Sequence, residues 1–504
     1  MLKAKSAVII GAGVGGLGLA CLMAKAGWKV TVVEKNKQVG GRAGYFEAKG
    51  FKFDTGPSWL LMPDVFEHFF GLVGEDLHKN LKLTKLAPSY RVFYKDHGFT
   101  TDIYSQLSKD AKTFEDLEEG AGKRLEDYLK LAATQYSVAK KGFLYKNYDS
   151  INDFFNREML SKGHKLGVWR SLRRHVGKYF KSDYLQKILL YPMMFLGSDP
   201  YSAPAIYGLL NHVDLKMGVF YPKGGMYKLV EALEKIAVKN GVKIKLGKAV
   251  EEIIIEDAQA TGVRLTGGQV IGADAVISNA DIHHTEQHLL EPEDRSFNER
   301  YWQKRTLAPS ALLIYLGVKG KLPELAHHNL LFSKNWRQNF DQIFYEPDWP
   351  RDPSFYVSVP TKTDKGLAPK NHHTMFVMVP VAPDLAYTDK LLDSFASRVI
   401  HTIEDEMNVK DLKNRIVYKK LFSVKDFADT FNSYKGSALG LAHTWDQTAI
   451  FRPGNVSKKV NNLYFVGANT NPGIGLPTAL ISAELVYKRL TGNASAKPLK
   501  DLKS

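Results

Sequence analysis

Three widely separated stretches carry residue types whose spacing suits the binding of a phosphorylated ligand. In Gly11-Ala-Gly13-Val-Gly-Gly16 the glycines fall where a chain turns tightly, brings bare backbone against a charged group and packs a helix closely. The apolar run Ser6 to Ile10 precedes the motif, and a stretch of small apolar residues, Leu17 to Ala26, follows it with helical character. In that setting the helix start offers free N–H groups and a partial positive charge to a pyrophosphate. Lys29 to Val33 then reads as a second strand ending at Glu34, where a carboxylate accepts hydrogen bonds from ribose hydroxyls and repels an additional phosphate. The competing reading is a glycine-rich turn with no ligand.

The continuation separates one dinucleotide from another. Gly40-Gly41-Arg42-Ala43 forms a second glycine loop whose arginine fork neutralises phosphate, and Asp54-Thr-Gly56-Pro57 makes a further tight turn. NAD dehydrogenases need no such second loop, so Gly41, Arg42, Gly56 and Pro57 point to FAD, or else to ordinary exposed turns. Far along the chain, Gly467-Ala-Asn-Thr-Asn-Pro472-Gly-Ile-Gly475-Leu476-Pro477 lies between an apolar strand and a helix, another glycine turn at a helix start. These elements are expected to meet on one FAD, at its pyrophosphate and beside its ribityl chain and ring. His443, Gln447 and Arg452 precede the last block and are the candidate polar residues near the flavin, each with a plain alternative as a hydrogen-bonding residue of surface or core.

The elements that must position these residues read as follows. Strand, helix and strand at the N-terminus make a parallel unit with a right-handed crossover. From Thr113 to Leu210 charged residues alternate with apolar ones at helical spacing, as at Leu117, Tyr128 to Leu131 and Phe154 to Leu160, which predicts a helical insertion over about residues 113–210. Met226 to Lys239 reads as a helix. Strands follow at Val242 to Leu246, Val250 to Glu256 and Gly262 to Leu265, with a hairpin turn at Gly267-Gly268 and a further strand at Ala275 to Ile277. Ala311 to Leu316, Phe355 to Val359 and Met375 to Val381 suggest a second sheet. Leu463 to Val466 is a late strand, Thr478 to Leu490 the closing helix, and the tail after Gly492 is expected to be mobile.

Length and composition bound the rest. A chain of 504 residues exceeds one compact core, so at least two lobes are expected. Its single cysteine, Cys21, excludes an internal disulfide framework and any multi-cysteine metal site, and suits a reducing compartment. The pairs His283–His284, His327–His328 and His372–His373 would point to opposite faces of a strand, so no metal is expected. No secretory signal is visible, and no run reaches the length of a spanning helix. The net charge of +16 suits an anionic partner such as lipid headgroups, or mere solubility. Scattered lysines without a recognition motif speak against nucleic acid.

The N-terminal and Gly467 to Pro477 blocks resemble the FAD-dependent amine oxidase and carotenoid desaturase superfamily. Further stretches are similar to bacterial-type phytoene desaturases: Phe195-Leu-Gly-Ser-Asp-Pro-Tyr-Ser-Ala-Pro-Ala-Ile-Tyr207, Tyr221-Pro-Lys-Gly-Gly-Met226 and Ala273-Asp-Ala-Val-Ile-Ser-Asn-Ala-Asp281. Asp352-Pro-Ser-Phe-Tyr-Val357, His443-Thr-Trp-Asp-Gln447 and Phe451-Arg-Pro453 extend the likeness over nearly the whole chain. One departure stands out: Asn471 occupies a position where that family commonly has histidine.

The resemblance implies an α/β (α+β overall) fold. A discontinuous Rossmann-like FAD-binding domain would comprise 1–90, 215–285 and 440–504, and a mixed-sheet plus helical substrate domain 91–214 and 286–439. It implies that the backbone of Val250 contacts adenine, although the residues alone show only a strand there. It further implies non-covalent FAD, a lipophilic carotenoid substrate, and desaturation of phytoene or a related carotene. Hydrogen leaves one saturated carbon with its bonding pair, the positive charge spreads over the polyene, and a proton leaves the adjacent carbon. Quinone or oxygen would then take the electrons. Such a substrate lives in a bilayer, so a cytoplasmic protein bound peripherally or monotopically to the membrane surface is expected. An apolar helix at Leu185 to Leu196 would either dock on lipid or lie buried. Alternatives are 3,4-desaturation, a C30 diapophytoene substrate or isomerisation. More distant ones are an amine oxidase, many of which tether flavin through a C-terminal cysteine that is missing here, and a non-catalytic prenyl-escort protein.

Overall fold

The computed structural model describes residues 5–95, 97–148, 150 and 170–502. The N-terminal unit forms as its pattern requires. Strand β1 (Ser6–Ile10) and strand β2 (Lys29–Val33) pair in parallel around helix α1 (Val14–Lys25), with Ser6 opposite Lys29 and Ile10 opposite Val33. Apolar residues continue almost all round α1, which marks a helix buried on every side. It is packed against the helices Tyr227–Lys239 and Leu476–Thr491, and a Cβ on Gly18 would come within 2.8 Å of Leu480.

Five parallel strands build the first sheet, in the order Leu463–Phe465, Ala275–Ser278, β1, β2, Lys243–Lys245. Beside it a three-stranded antiparallel sheet runs Val250–Glu256, Gln259–Leu265, Val270–Gly272, its second turn made by Gly267 and Gly268 with φ of +92° and +85°. A larger sheet orders its seven strands Ile416–Phe422, Ser310–Lys319, His372–Val381, Phe355–Ser358, His328–Phe332, Tyr90–Tyr94, Thr100–Ile103. All neighbours in it are antiparallel except the pair Tyr90–Tyr94 with His328–Phe332. Both faces of Ser310–Lys319 are buried, which explains its unbroken apolar sequence. Helices Leu107–Leu117, Ala121–Gly142, Leu172–Val176 and Asp183–Leu190 represent the helical insertion; Phe154 to Leu160 lies outside the described residues.

One open alternative is narrowed and two expectations are corrected. The stretch Leu185 to Leu196 takes the buried alternative over its first part: the helix ends at Leu190, continues as 3₁₀ turns over Tyr191–Leu196, and buries Leu185, Ile188 and Leu189 completely, while Met194, Phe195 and Leu196 are half-buried in the cavity wall. The tail after Gly492 is docked rather than loose. Leu499 is buried, its N–H donates to Glu484 Oε1 at 2.7 Å, and the buried Lys488 ammonium donates to the carbonyls of Tyr145, Ser495 and Lys497. His283 and His284 sit on a helix, Ile282–His288, so strand alternation does not govern them; Glu299 and Asn432 hold their Nε2 atoms. Among the described residues no helix is long and apolar enough to cross a membrane, and no group of three potential metal ligands forms.

Candidate functional site

A cavity of about 960 Å³ runs from the carboxyl ends of β1 and β2 to the seven-stranded sheet. At its first end the glycine turn is drawn tight: Gly11 has φ of +95° and donates its N–H to Val33 O at 2.7 Å. Gly13 caps α1 with no side-chain hydrogen bond among the described residues, and the first turn of the helix, Val14 and Gly15, lines the cavity. The second loop joins the first directly, since Gly40 N–H donates to Ala12 O at 2.8 Å and Gly13 bridges Gly40. Glu34 is 5% exposed. Its Oε2 accepts from Ala12 N–H at 2.8 Å and its Oε1 from both nitrogens of Asn36, so the carboxylate also ties β2 to the turn.

Arg42 and Gly56 share one corner, because a Cβ on Gly56 would strike Arg42 O at 2.4 Å. The guanidinium donates through Nη2 to Ser433 Oγ and stands 3.9 Å from Asp281 Oδ2, while its enclosed Nε has no partner among the described residues. An uncapped helix start, an arginine with a free N–H and a buried carboxylate fit the diphosphate and ribose of a dinucleotide. Val250 opens the small sheet at the same end, half-buried in the cavity wall beside Lys248 and Ala249. Cys21 lies elsewhere, buried in α1 with its thiol donating to Leu233 O, and burial pushes that thiol far up.

The late block arrives beside the glycine turn through the parallel strand Leu463–Phe465. Gly467 N–H donates to Ser482 Oγ, and Gly467 Cα lies 3.2 Å from where a Cβ on Gly15 would be. Asn471, Pro472, Gly475, Leu476 and Pro477 all face the cavity. The three candidates for chemistry separate here. Gln447 exchanges two hydrogen bonds with the backbone of Thr306, at 2.8 Å each, and Arg452 donates to five carbonyls, Leu441, Ala442, Gln447, Ala468 and Thr470. Neither is among the residues lining the cavity; Arg452 braces the loop that carries Gly467 to Thr470, and Gln447 ties Thr306 to Ala442. They are therefore corrected from catalytic candidates to supports.

His443 does line the cavity, but both ring nitrogens are engaged. Its Nε2 accepts from Ile474 N–H at 3.2 Å, which fixes the proton on Nδ1; that N–H donates to Tyr207 Oη at 2.9 Å. Tyr207 passes its own proton to Thr448 Oγ1 at 3.1 Å, and Thr448 donates to Thr444 O. Burial, then the charge of Arg452, holds His443 well below the usual histidine range.

Toward the large sheet the wall becomes aromatic and aliphatic, with Trp59, Tyr191, Phe195, Tyr356, Phe376 and Met378. Trp59 stacks on His328 at 4.5 Å, and the Tyr356 hydroxyl meets His328 Nδ1 at 2.6 Å. Asn279 was not foreseen as a site residue, although it lies in the stretch Ala273 to Asp281. It is wedged among the turns: added Cβ atoms on Gly13, Gly15 and Gly467 would come within 2.7, 2.7 and 2.9 Å of its amide. Its signal in the sequence was an asparagine one residue beyond a buried strand parallel to β1, a position that only the sheet order brings to the glycine turn.

The family described as flavin containing amine oxidoreductase matches residues 14–486. The chain is 41% identical to a carotenoid 3,4-desaturase of Haloarcula japonica, over 96% of this chain and 97% of that one. It is 37% identical to a zeta-carotene-forming phytoene desaturase of Myxococcus xanthus, over 97% and 94%. An oxidoreductase structure from Methanosarcina mazei, 20% identical, shares the fold with a TM-score of 0.65, covering 96% of this chain and all of that one.

Proposed function

Since the chain belongs to the flavin containing amine oxidoreductase family and uses FAD, we propose that it desaturates a carotenoid, extending the conjugated polyene by removing hydrogens from adjacent carbons. The observation that carries this reading is the continuity of the cavity. One end is built of bare glycine backbone with Arg42 and Glu34, and the other is an aromatic and aliphatic wall suited to an elongated hydrocarbon. The division into a discontinuous cofactor lobe and a substrate lobe follows the two main sheets and belongs to the same proposal.

FAD, when bound, supplies the acceptor for the two electrons taken from the substrate. The glycine turns, Arg42 and Glu34 would hold its diphosphate and ribose, Val250 its adenine, and the Gly467–Pro477 block its ring. The chain contributes orientation and a dry cavity. His443 holds the Gly473–Ile474 backbone in place, and the chain Ile474, His443, Tyr207, Thr448 has a single proton arrangement, so this histidine positions the loop instead of taking a proton.

We infer phytoene or a partly desaturated carotene as substrate. A 3,4-desaturation is the second reading, favoured by the Haloarcula japonica relative. Quinone or oxygen would complete the turnover, and basic residues would hold the protein peripherally on the cytoplasmic face of a membrane. Anaerobic mixing of the FAD-loaded protein with phytoene in liposomes tests the reading. Flavin bleaching together with new long-wavelength polyene bands is expected; a flavin that stays oxidised with phytoene, and then with more conjugated carotenes, would overturn it.

A further inference from the structure

Behind the aromatic wall lies a carboxylate without a cation. Asp214 is 1% exposed and belongs to a single π-helical turn, Val213–Met217, a distortion often found at functional sites. Its Oδ2 accepts hydrogen bonds from the hydroxyls of Tyr90, at 2.8 Å, and Tyr191, at 2.9 Å. Its backbone oxygen accepts from Ser105, and Oδ1 is enclosed with no partner among the described residues. Among the described residues no lysine, arginine or histidine pairs with it; the titratable groups facing it are the two tyrosines and, further off, Asp110. An isolated buried charge is strongly destabilising, and carboxylates kept in that state concentrate at sites of chemistry.

Tyr191 connects this charge to the substrate space. Its ring lines the cavity and packs on Tyr90 at 5.3 Å and Phe195 at 5.5 Å, while its hydroxyl proton is committed to Asp214. A phenol donating to a carboxylate gains electron density in its ring and oxygen, and an electron-rich ring attracts positive charge. Desaturation creates such a charge: one hydrogen leaves the polyene with its bonding pair, which FAD would accept, and the electrons of the neighbouring C–H bond close the new double bond as its proton passes to solvent water. Resting on the reading of this cavity as a polyene site, we propose that Asp214 is a positioning residue which, by orienting and polarising Tyr191, stabilises the positive charge that develops on the substrate.

Burial, opposed by the two phenols, pushes Asp214 up to about 7, so the effect grows as pH rises through that range. The test measures kcat, KM and carotene binding (by the shift of the polyene band) for Asp214→Asn, Tyr191→Phe, the double variant and Tyr90→Phe. Asp214→Asn and Tyr191→Phe are each expected to lower kcat about 10- to 100-fold with KM unchanged, since the charge exists only during reaction. The double variant falls no further, and Asp214→Asn loses the rise of kcat near pH 7. Tyr90→Phe, which removes one of the two donors that lower the Asp214 carboxyl, moves the rise of kcat to higher pH while leaving KM unchanged. A wild-type kcat or an unchanged pH rise in Asp214→Asn would overturn the proposal. So would a loss confined to KM, or a Tyr191→Phe variant with full kcat. A parent protein that binds no carotene would instead overturn the substrate reading, and this proposal with it.

Discussion

A Cβ atom on Gly473 would lie 2.3 Å from both Nε2 and Cε1 of His443, so the imidazole occupies the space that any side chain at position 473 needs. Gly473 also has φ of +129°, a conformation L side chains rarely adopt. This loop at the cavity wall is thus held from two directions, by a hydrogen bond from Ile474 and by a ring that admits only glycine beside it.

Gly473→Ala should therefore displace His443 and weaken FAD by about 2 kcal/mol, roughly thirtyfold. Removing the ring as well, in Gly473→Ala with His443→Ala, should recover part of that loss. Flavin fluorescence released on dilution reads both, and equal FAD retention by Gly473→Ala and the parent would count against the packing described.

Glu34 carries two duties, and its variants should separate them. Glu34→Gln keeps an acceptor for Ala12 N–H, whereas Glu34→Ala leaves that buried donor unsatisfied, at a cost of about 1–3 kcal/mol. Calorimetric FAD titration is expected to give a modest loss for Glu34→Gln and a loss of about tenfold or more for Glu34→Ala.

Because His443 already accepts a backbone N–H and is held well below its ordinary range, it is expected to be neutral around pH 7 and above. The kcat profile should contain no limb belonging to this residue. His443→Asn should lower FAD occupancy while leaving the shape of the pH profile of the loaded fraction unaltered. A limb near about 6.5 that disappears in the variant would assign the histidine a proton-transfer role after all.

Asp214 makes the opposite kind of prediction, about stability. Its carboxyl rises from 3.8 to about 7 on folding, so the folded chain binds this proton more tightly than the unfolded one. The resulting destabilisation is absent below about pH 4 and complete above about 7. Asp214→Asn removes it, so the variant should melt about 1–3 °C above the parent at pH 8, by less at pH 5, and close to it only near pH 4. A variant that is both slower and more stable is what an electrostatic role demands, whereas a purely structural role would make it less stable.

The docked tail is testable by truncation. Ending the chain at Gly492 removes the carbonyls of Ser495 and Lys497 from the fully buried Lys488, and the Leu499 N–H from Glu484. The melting temperature should fall by about 2–5 °C, and a Lys488→Met background should reduce that loss.

The sequence determined the cofactor half of this protein because its signals are local. A tight turn requires glycine at particular positions, a buried strand requires an apolar run, and a helix start requires free N–H groups, so Gly11 to Gly16, Glu34, Gly40 to Arg42 and Gly467 to Pro477 could be read without coordinates. Burial around the middle of the chain could not, since its decisive partners are far apart in sequence. The apolar stretch at Leu185 reads equally as a lipid-facing or an internal helix until the large sheet covers it. The polar tail folds back only because Lys488 and Glu484 are buried and need its backbone. Gln447 and Arg452 become supports because carbonyls from separate loops converge on them, and Asn279 reaches the glycine turns only through the order of the parallel strands. Asp214 gains its meaning from two tyrosines 124 and 23 residues away, and whether a carboxylate meets a cation, water or a phenol is decided by tertiary packing alone.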